Sequence, residues 1–313
     1  MKLVIQIPCL NEEEVLPETL AALPRQVPGF DVVEWLVIDD GSSDNTVNVA
    51  RQHGVDHIVS HKRTKGLARA FMTGLDACLR AGADVIVNTD GDNQYAASDI
   101  PKLVSPVLNQ EADIVVGARP IGTHQEFSLT KKILQKIGSA VVRQVSHTRV
   151  ADTTSGFRAF SRDAAKRLMV FNEYTYTLET IIQAGHRKLA ITSVPVEVNR
   201  VTRPSRLFRS VPSYIRQSLI TIIRIYVIYR PFHCFGMIGL GFILGGMVIG
   251  LRFLYYYLTG DGSGHIQSLI LMSVLLGVGF QTLLVAFIAD LFAANRKMLE
   301  EVRYFQRRDR LDD

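Results

Sequence analysis

Short apolar runs alternate with helix-compatible stretches along the first part of the chain. Five runs rich in β-branched residues are short enough for buried strands; they lie at 3–7, 32–38, 57–59, 85–88 and 113–116. Stretches with helical spacing fill the gaps, at 13–23, 44–53, 66–81 and 97–110. This alternation predicts an α/β domain whose mostly parallel sheet carries helices on both faces.

The pattern changes in the second part of the chain. A basic helix-compatible stretch at 131–145, a loop and a further strand candidate at 189–198 come first. Uncharged runs at 232–251 and 266–289 then follow, each at least as long as the ~20 residues that a membrane-spanning helix needs. A buried soluble helix is the alternative for one such run, but two in succession favour a transmembrane hairpin, with spans at about 232–258 and 266–289.

Charge is distributed unevenly, although the net charge is only +5. Seven arginines and no acidic residue or lysine lie between Arg200 and Arg230. Such a segment is attracted to anionic lipid headgroups, and the neighbouring apolar runs favour lipid over nucleic acid as its partner. Because basic residues flank the outer ends of the two spans but not the short loop between them, we expect a multi-pass cell-membrane protein with its large domain and C-terminus in the cytoplasm.

These features divide the chain into four parts. We expect a cytoplasmic α/β domain at 1–210, a basic amphipathic helix at 211–230, two membrane helices within 231–294, and a cytoplasmic C-terminal helix or tail at 295–313. The three cysteines are widely spaced, which indicates a reducing compartment without a disulfide framework or a zinc site. The first apolar run, at 3–7, is too short for a signal-peptide core and is better interpreted as a strand.

Acidic residues follow two of the predicted strands. Asp39 and Asp40 end the second, and Asp90 and Asp92 bracket Gly91 after the fourth. Ligands of parallel sheets bind at the carboxyl ends of the strands, and two neighbouring carboxylates repel each other unless a cation or a proton lies between them. An Asp-x-Asp triplet also arises by chance, so the motif needs the context of the chain.

Four stretches of the predicted domain supply that context. They are IPCLNEEE from Ile7, VIDDGSSDNT from Val37, TDGDNQ from Thr89 and DTTSGFRAFS from Asp152. In this order and spacing they resemble the dolichyl-phosphate mannose synthase group of the inverting family 2 glycosyltransferases, over roughly residues 3–210. The resemblance implies a GT-A (Rossmann-like) fold and transfer of a sugar from a UDP- or GDP-sugar to a polyprenyl phosphate, either undecaprenyl or dolichyl phosphate.

The resemblance also implies a donor site and a metal site. The residues expected around the nucleotide-sugar donor are Pro8, Asn11, Glu13, Asp39, Asp40, Lys65, Gly66, Asp90, Gly91, Arg200 and Arg206. Asp90, Asp92 and Gln94 match the metal motif of the family. Their oxygen atoms suit Mg²⁺ or Mn²⁺ bridged to the donor diphosphate, whereas zinc would call for nearby His or Cys.

The acceptor side is expected to carry cations. Arg119, Lys132 and Ser155 are implied as acceptor-phosphate ligands, and Asp92, Arg119 and Asp152 as catalytic residues. A polyprenyl phosphate is already anionic, so positioning and charge neutralisation matter more than a strong general base. Lys132 departs from the usual family pattern in offering a point charge rather than a fork. Helix capping after Asp40 and a purely structural turn at Ser155 remain alternatives.

Two other functions fit part of the sequence. A processive membrane polysaccharide synthase typically carries Q-x-x-R-W after its catalytic region, but the only tryptophan here is Trp35. A non-catalytic nucleotide-binding membrane adaptor would be expected to have lost part of the acidic set. The tail places Leu299, Val302 and Phe305 at spacings compatible with one helix face, which suggests a homo-oligomer contact.

Overall fold

The computed structural model of the chain describes residues 1–120, 140, 142–144, 146, 148–170, 176–199, 220, 223–224, 227–260 and 265–312. The chain divides into two compact units. One consists of Met1–Ser218 together with Tyr304–Asp313, and the other of Leu219–Arg303.

One mixed sheet forms the centre of the first unit. Its strands are β1 (Lys2–Cys9), β2 (Val32–Asp39), β3 (His57–Ser60), β4 (Val85–Asn88), β5 (Ile114–Ala118), β6 (Arg158–Ser161) and β7 (Ile191–Pro195). They lie in the order β3-β2-β1-β4-β6-β5-β7. β1 is parallel to β2 and β4, β2 to β3, and β5 to β7, whereas β6 is antiparallel to both of its neighbours.

The five strands predicted in the first part of the chain are confirmed as β1 to β5. The strand predicted at 189–198 is confirmed as β7 but is shorter at both ends, since it spans only Ile191–Pro195. β6 was missed: it lies within the stretch from Asp152 to Ser161, which sequence reasoning treated as a motif-bearing loop. Its insertion between β4 and β5 makes the sheet mixed and brings that motif to the carboxyl end of β4.

Helices cover both faces of the sheet. They are α1 (Leu16–Ala22), α2 (Thr46–Gln52), α3 (Leu67–Arg80), α4 (Ile100–Leu108), α5 (Arg162–Arg167) and α6 (Thr177–His186). Along β1 the side chains alternate between two cores: Ile5 packs in one, whereas Val4 packs in the other with Phe71 of α3. Period-two alternation of apolar side chains on a doubly covered strand therefore builds both cores.

The four helices predicted between the strands are present with shifted starts. α1 begins at Leu16 rather than at residue 13, since the preceding residues are engaged in a loop contact described below. A 3₁₀ turn at Ala97–Asp99 precedes α4. The basic stretch at 131–145 lies mostly outside the described residues.

The second unit contains two long apolar segments. Helix α7 spans Pro231–Leu258, and helix α8 spans Ile266–Asp312; each is long and apolar enough to cross a membrane. A Cβ atom on Gly239 would lie 3.0 Å from the carbonyl oxygen of Gly279, and one on Gly279 would lie 2.9 Å from that of Gly239. Glycine at both positions therefore permits close packing of the two helices.

The C-terminal residues of α8 belong to the first unit. Arg307 lies 2.6 Å from Asp76 of α3, and its Nη1 donates to the carbonyl oxygens of Ala165 and Leu168 at 2.8 and 3.0 Å. A cation at these last carbonyls is favourable for α5. Leu299, Val302 and Phe305 are exposed, and their predicted contact with a second copy stays a prediction.

Candidate active site

The carboxyl ends of β1, β2 and β4 meet at one edge of the sheet. The Asp40 N–H donates to the Cys9 carbonyl at 2.9 Å, and a Cβ atom on Gly91 would lie 3.0 Å from Cys9 Sγ. The acidic residues after β2 and those after β4 thus flank the end of β1, where Pro8 is located. The structure brings these predicted donor residues together.

The loop after β1 is joined to the loop before α2 by side-chain hydrogen bonds. Asn11, with a φ of 55°, accepts from the Ser43 N–H at 2.8 Å, and Glu13 Oε2 accepts from the Asn45 N–H at 2.8 Å. These bonds explain why α1 begins late. They also engage the side chains of Asn11 and Glu13 in the loop itself, so their predicted contact with the nucleotide base stays a prediction.

Asp40 organises a second loop at this edge. Its Oδ1 lies 2.6 Å from His61 Nδ1 and accepts from the Lys65 N–H at 2.9 Å. Its Oδ2 accepts from the Gly66 N–H at 2.8 Å, where a φ of 91° favours glycine. The buried pair of Asp40 and His61 therefore holds the predicted Lys65–Gly66 donor loop in place.

His61 was not identified from the sequence. Its Nε2 lies 3.0 Å from Thr73 Oγ1, so both ring nitrogens have partners. Asp39, the last residue of β2, accepts the Ser42 N–H at 2.9 Å, which forms a turn at the end of the strand.

Asp90 and Asp92 form the acidic pair at the end of β4. Among the described residues, none donates a hydrogen bond to the Asp90 carboxylate. The backbone of Gly156 packs directly against this carboxylate, since a Cβ atom on Gly156 would lie 3.0 Å from Asp90 Oδ2. Burial, reinforced by the charge of Asp92, raises the pKa of Asp90 to about 7. An acid without a donor beside a second acid is a position that a cation would stabilise.

The donor set fits a hard divalent cation. No cluster of three or more His, Cys, Asp or Glu side chains occurs in the part of the chain that the structure describes. Mg²⁺-type sites commonly use only one or two carboxylates and complete their shell with substrate phosphates and water. Asp90 and Asp92, with Gln94 two residues further on, match that pattern and not a zinc site.

Hydrogen bonds from Asn199 hold the loop that carries the acidic pair. Asn199 Nδ2 donates to the carbonyl oxygens of Asn93 and Tyr95 at 2.9 and 3.4 Å and to Asn93 Oδ1 at 3.2 Å. Asn93 has a φ of 55°, an uncommon conformation for a residue other than glycine. The Asn199 N–H donates to the Gln94 carbonyl at 2.9 Å. Asn199 therefore fixes the loop that presents Asp92, a role that no local sequence pattern indicates.

Arg119 is held in one orientation directly after β5. Its Nε donates to Asp152 Oδ2 at 2.7 Å and its Nη2 to Asp152 Oδ1 at 3.2 Å, while Nη2 also donates to Thr154 Oγ1 at 2.8 Å. Burial alone would raise the pKa of Asp152, but the hydrogen bonds and charge of Arg119 outweigh it and lower that pKa. No described residue accepts a hydrogen bond from Arg119 Nη1, so this nitrogen of the guanidinium can donate to a ligand.

The other predicted acceptor residues differ in their surroundings. Ser155 is fully buried, and its hydroxyl accepts from the Phe157 N–H at 3.3 Å, which fits the turn role that the sequence left open. Its contact with the acceptor phosphate stays a prediction. Lys132, Arg200 and Arg206 lie outside the described residues.

A mixed α/β sheet with a paired acid at its central edge is the GT-A arrangement of glycosyltransferases. Solved structures confirm this fold. The glucosyl-3-phosphoglycerate synthase of Mycobacterium tuberculosis in complex with Mn²⁺, UDP and glucosyl-3-phosphoglycerate superposes with a TM-score of 0.54 at 20% identity, over 72% of this chain and 78% of that one. The complex of that enzyme with Mn²⁺ and UDP-glucose gives a TM-score of 0.55 at 22% identity, over 72% and 78%.

Sequence comparison assigns the family. The family described as Glycosyl transferase family 2 matches residues 4–169, and the chain belongs to it and is a glycosyltransferase. The UDP-N-acetylglucosamine–dolichyl-phosphate N-acetylglucosaminyltransferase of Methanococcus voltae is 32% identical over 61% of this chain and 83% of its own length. The undecaprenyl-phosphate mannosyltransferase of Micrococcus luteus is 33% identical over 63% and 83%.

Proposed function

We propose that this glycosyltransferase transfers a sugar from a UDP- or GDP-sugar to the phosphate of a membrane polyprenyl phosphate, with inversion at the anomeric carbon. The observation that carries the proposal is Arg119, a cation fixed by Asp152 whose Nη1 donors remain uncommitted among the described residues. Its charge opposes, without cancelling, the rise in the pKa of Asp90, so the two lie within electrostatic reach. The names of the Methanococcus and Micrococcus relatives support the same acceptor class.

In the proposed reaction, a phosphate oxygen of the acceptor forms a bond to the anomeric carbon of the sugar as the bond from that carbon to the nucleoside diphosphate breaks. Arg119 orients the acceptor phosphate and offsets its charge, because two anions must meet at this edge. Asp152 has both oxygens bonded to Arg119, which supports a positioning role over that of a general base. The acceptor is already ionised, so a strong base is not required.

Asp90, Asp92 and Gln94 would hold a divalent cation, Mg²⁺ or Mn²⁺. Such an ion supplies neutralisation of the charge that develops on the departing diphosphate. Asp40 and the loop at Lys65 and Gly66 line the donor side of the same edge.

Helices α7 and α8 support a membrane location for this reaction. We place the first unit and the C-terminus on the cytoplasmic side of a cell membrane, since basic residues flank the outer ends of the two apolar segments and are absent from the loop between them. This arrangement gives the enzyme access to an acceptor whose phosphate lies at the membrane surface.

A donor panel tests the proposal. The full chain in detergent would be given labelled UDP- and GDP-linked glucose, mannose and N-acetylated sugars with Mg²⁺ or Mn²⁺ and either undecaprenyl or dolichyl phosphate. We expect one donor to yield a labelled lipid that partitions into organic solvent. A water-soluble polymer would instead indicate a processive synthase, and nucleotide binding without any product would indicate an adaptor.

A further inference from the structure

A buried arginine lies beside the end of β4, in register with Asn88. Arg158, the first residue of β6, is fully buried. Its guanidinium donates to the carbonyl oxygens of Ser155 at 2.8 Å, Thr177 at 2.8 Å and Thr153 at 3.1 Å. It also donates to the hydroxyl of Thr180. Four neutral oxygens thus satisfy its hydrogen bonds.

No carboxylate within the described ranges forms an ion pair with Arg158. Burial lowers the pKa of its guanidinium to about 10, so the side chain is still protonated at neutral pH. A buried charge without a bonded counterion is costly, and a neutral side chain would satisfy a fold more simply. The charge of Asp152 acts on Arg158 without a bond between them, and the charge of Arg158 in turn opposes the rise in the pKa of Asp90, so its effect reaches the acidic pair.

The position of Arg158 indicates which site that is. Its Cζ lies 5.9 Å from the ring centroid of Tyr176, and the Tyr176 hydroxyl donates to the Gly156 carbonyl at 3.3 Å. Gly156 in turn packs against the Asp90 carboxylate, because a Cβ atom on Gly156 would lie 3.0 Å from Asp90 Oδ2 and 2.8 Å from the Tyr176 hydroxyl. Tyr176 and Gly156 thus connect the guanidinium to the acidic pair through successive contacts.

We propose that Arg158 is a positioning residue that places a fixed positive charge behind Asp90 and thereby strengthens binding of the diphosphate portion of the donor. The inference rests on the proposed function, because it requires a nucleoside diphosphate at the acidic pair. The charge acts through the buried residues Tyr176 and Gly156, where it is screened less than a surface charge. Its bonds to the Thr153 and Ser155 carbonyls also fix the loop that carries Thr154 to Arg119.

Binding measurements separate charge from structure. Calorimetry at saturating Mg²⁺ would compare UDP with uridine, or GDP with guanosine, whichever diphosphate the wild-type chain binds. Arg158→Gln should lower affinity for the diphosphate about 10-fold while affinity for the nucleoside changes less than about twofold. Arg158→Lys keeps the charge and should keep the ratio of the two affinities within about twofold of wild type.

A matched control lies at the other end of β6. Arg162 directly follows that strand and also donates to a carbonyl oxygen, that of Ala83 at 2.9 Å. It lies beside the start of β4 and not beside the acidic pair at its end, so Arg162→Gln should leave the ratio of the two affinities unchanged.

Equal loss of nucleoside and diphosphate affinity in Arg158→Gln would overturn the inference. If that variant fails to fold, Arg158→Lys decides, since a fall in its ratio would overturn the inference as well. Absence of nucleotide binding by the wild-type chain would instead overturn the proposed function.

Discussion

Replacing Asp152 by asparagine tests whether the Asp152 carboxylate holds the Arg119 guanidinium in its orientation. The carboxylate is 1% exposed and the guanidinium 17% exposed, so solvent screens the pair weakly. Asparagine keeps one acceptor oxygen but turns an amide N–H toward the guanidinium. Since a hydrogen bond to a charged group contributes about 1.5–3 kcal/mol, we expect the free energy of unfolding to fall by about 2–3 kcal/mol. For a unit of this size that lowers Tm by about 5–10 °C.

The kinetic consequence distinguishes positioning from stability alone. With Arg119 no longer oriented, the KM for polyprenyl phosphate should rise well above that of the wild type, while the KM for the nucleotide sugar stays close to it. Asp163→Asn is the control, because it breaks the exposed pair with Arg167 and should change stability by no more than about 0.5 kcal/mol. Thermal unfolding in detergent and initial-rate kinetics measure both effects. Wild-type Tm and wild-type acceptor KM in Asp152→Asn would refute the assigned role.

Three further outcomes follow from the site. Asp92→Asn should abolish most transfer while circular dichroism shows an intact fold, because it removes a carboxylate from the metal pair; wild-type turnover at saturating Mn²⁺ would place the metal elsewhere. Because the pKa of Asp90 is raised to about 7, a proton competes with the metal below that pH. The affinity for Mn²⁺, measured by calorimetry, should therefore rise about tenfold per pH unit up to about pH 7 and then level off. An affinity that stays constant from pH ~5.5 to ~8.5 would contradict this. Asn199→Ala should raise the Mn²⁺ concentration needed for half-maximal activity several-fold, whereas Asn109→Ala, in an exposed turn, should not; an equal response of the two variants would remove Asn199 from the site.

Local patterns were enough to predict much of the fold. Runs of β-branched residues ending in acids predicted β2 and β4 and placed Asp39, Asp40, Asp90 and Asp92 at one edge, because parallel strands present their carboxyl ends together. The uncharged runs at 232–251 and 266–289 likewise predicted helices α7 and α8. β6 was not, since its four residues have no alternation of their own and form a strand only between β4 and β5.

Contacts between distant residues account for what sequence reasoning missed in the site. His61 is buried against Asp40, and Asn199 reaches a loop more than a hundred residues away. Arg158 belongs to the DTTSGFRAFS stretch, yet its burial depends on the packing of α6 against β6, with Thr177 and Thr180 as its partners. These roles arise from tertiary structure, where propensity and spacing carry no information.

The acceptor is the central claim, and the linkage in the product tests it most directly. With the donor found by the panel, the full chain would be offered polyprenyl monophosphate, polyprenyl diphosphate and polyprenol in parallel, and the lipid product would be analysed by NMR for coupling between phosphorus and the anomeric carbon. We predict a product from the monophosphate alone, with the anomeric carbon bonded through oxygen to its phosphorus and the anomeric configuration inverted. Transfer to the free polyprenol, or a product without anomeric coupling to phosphorus, would contradict the account.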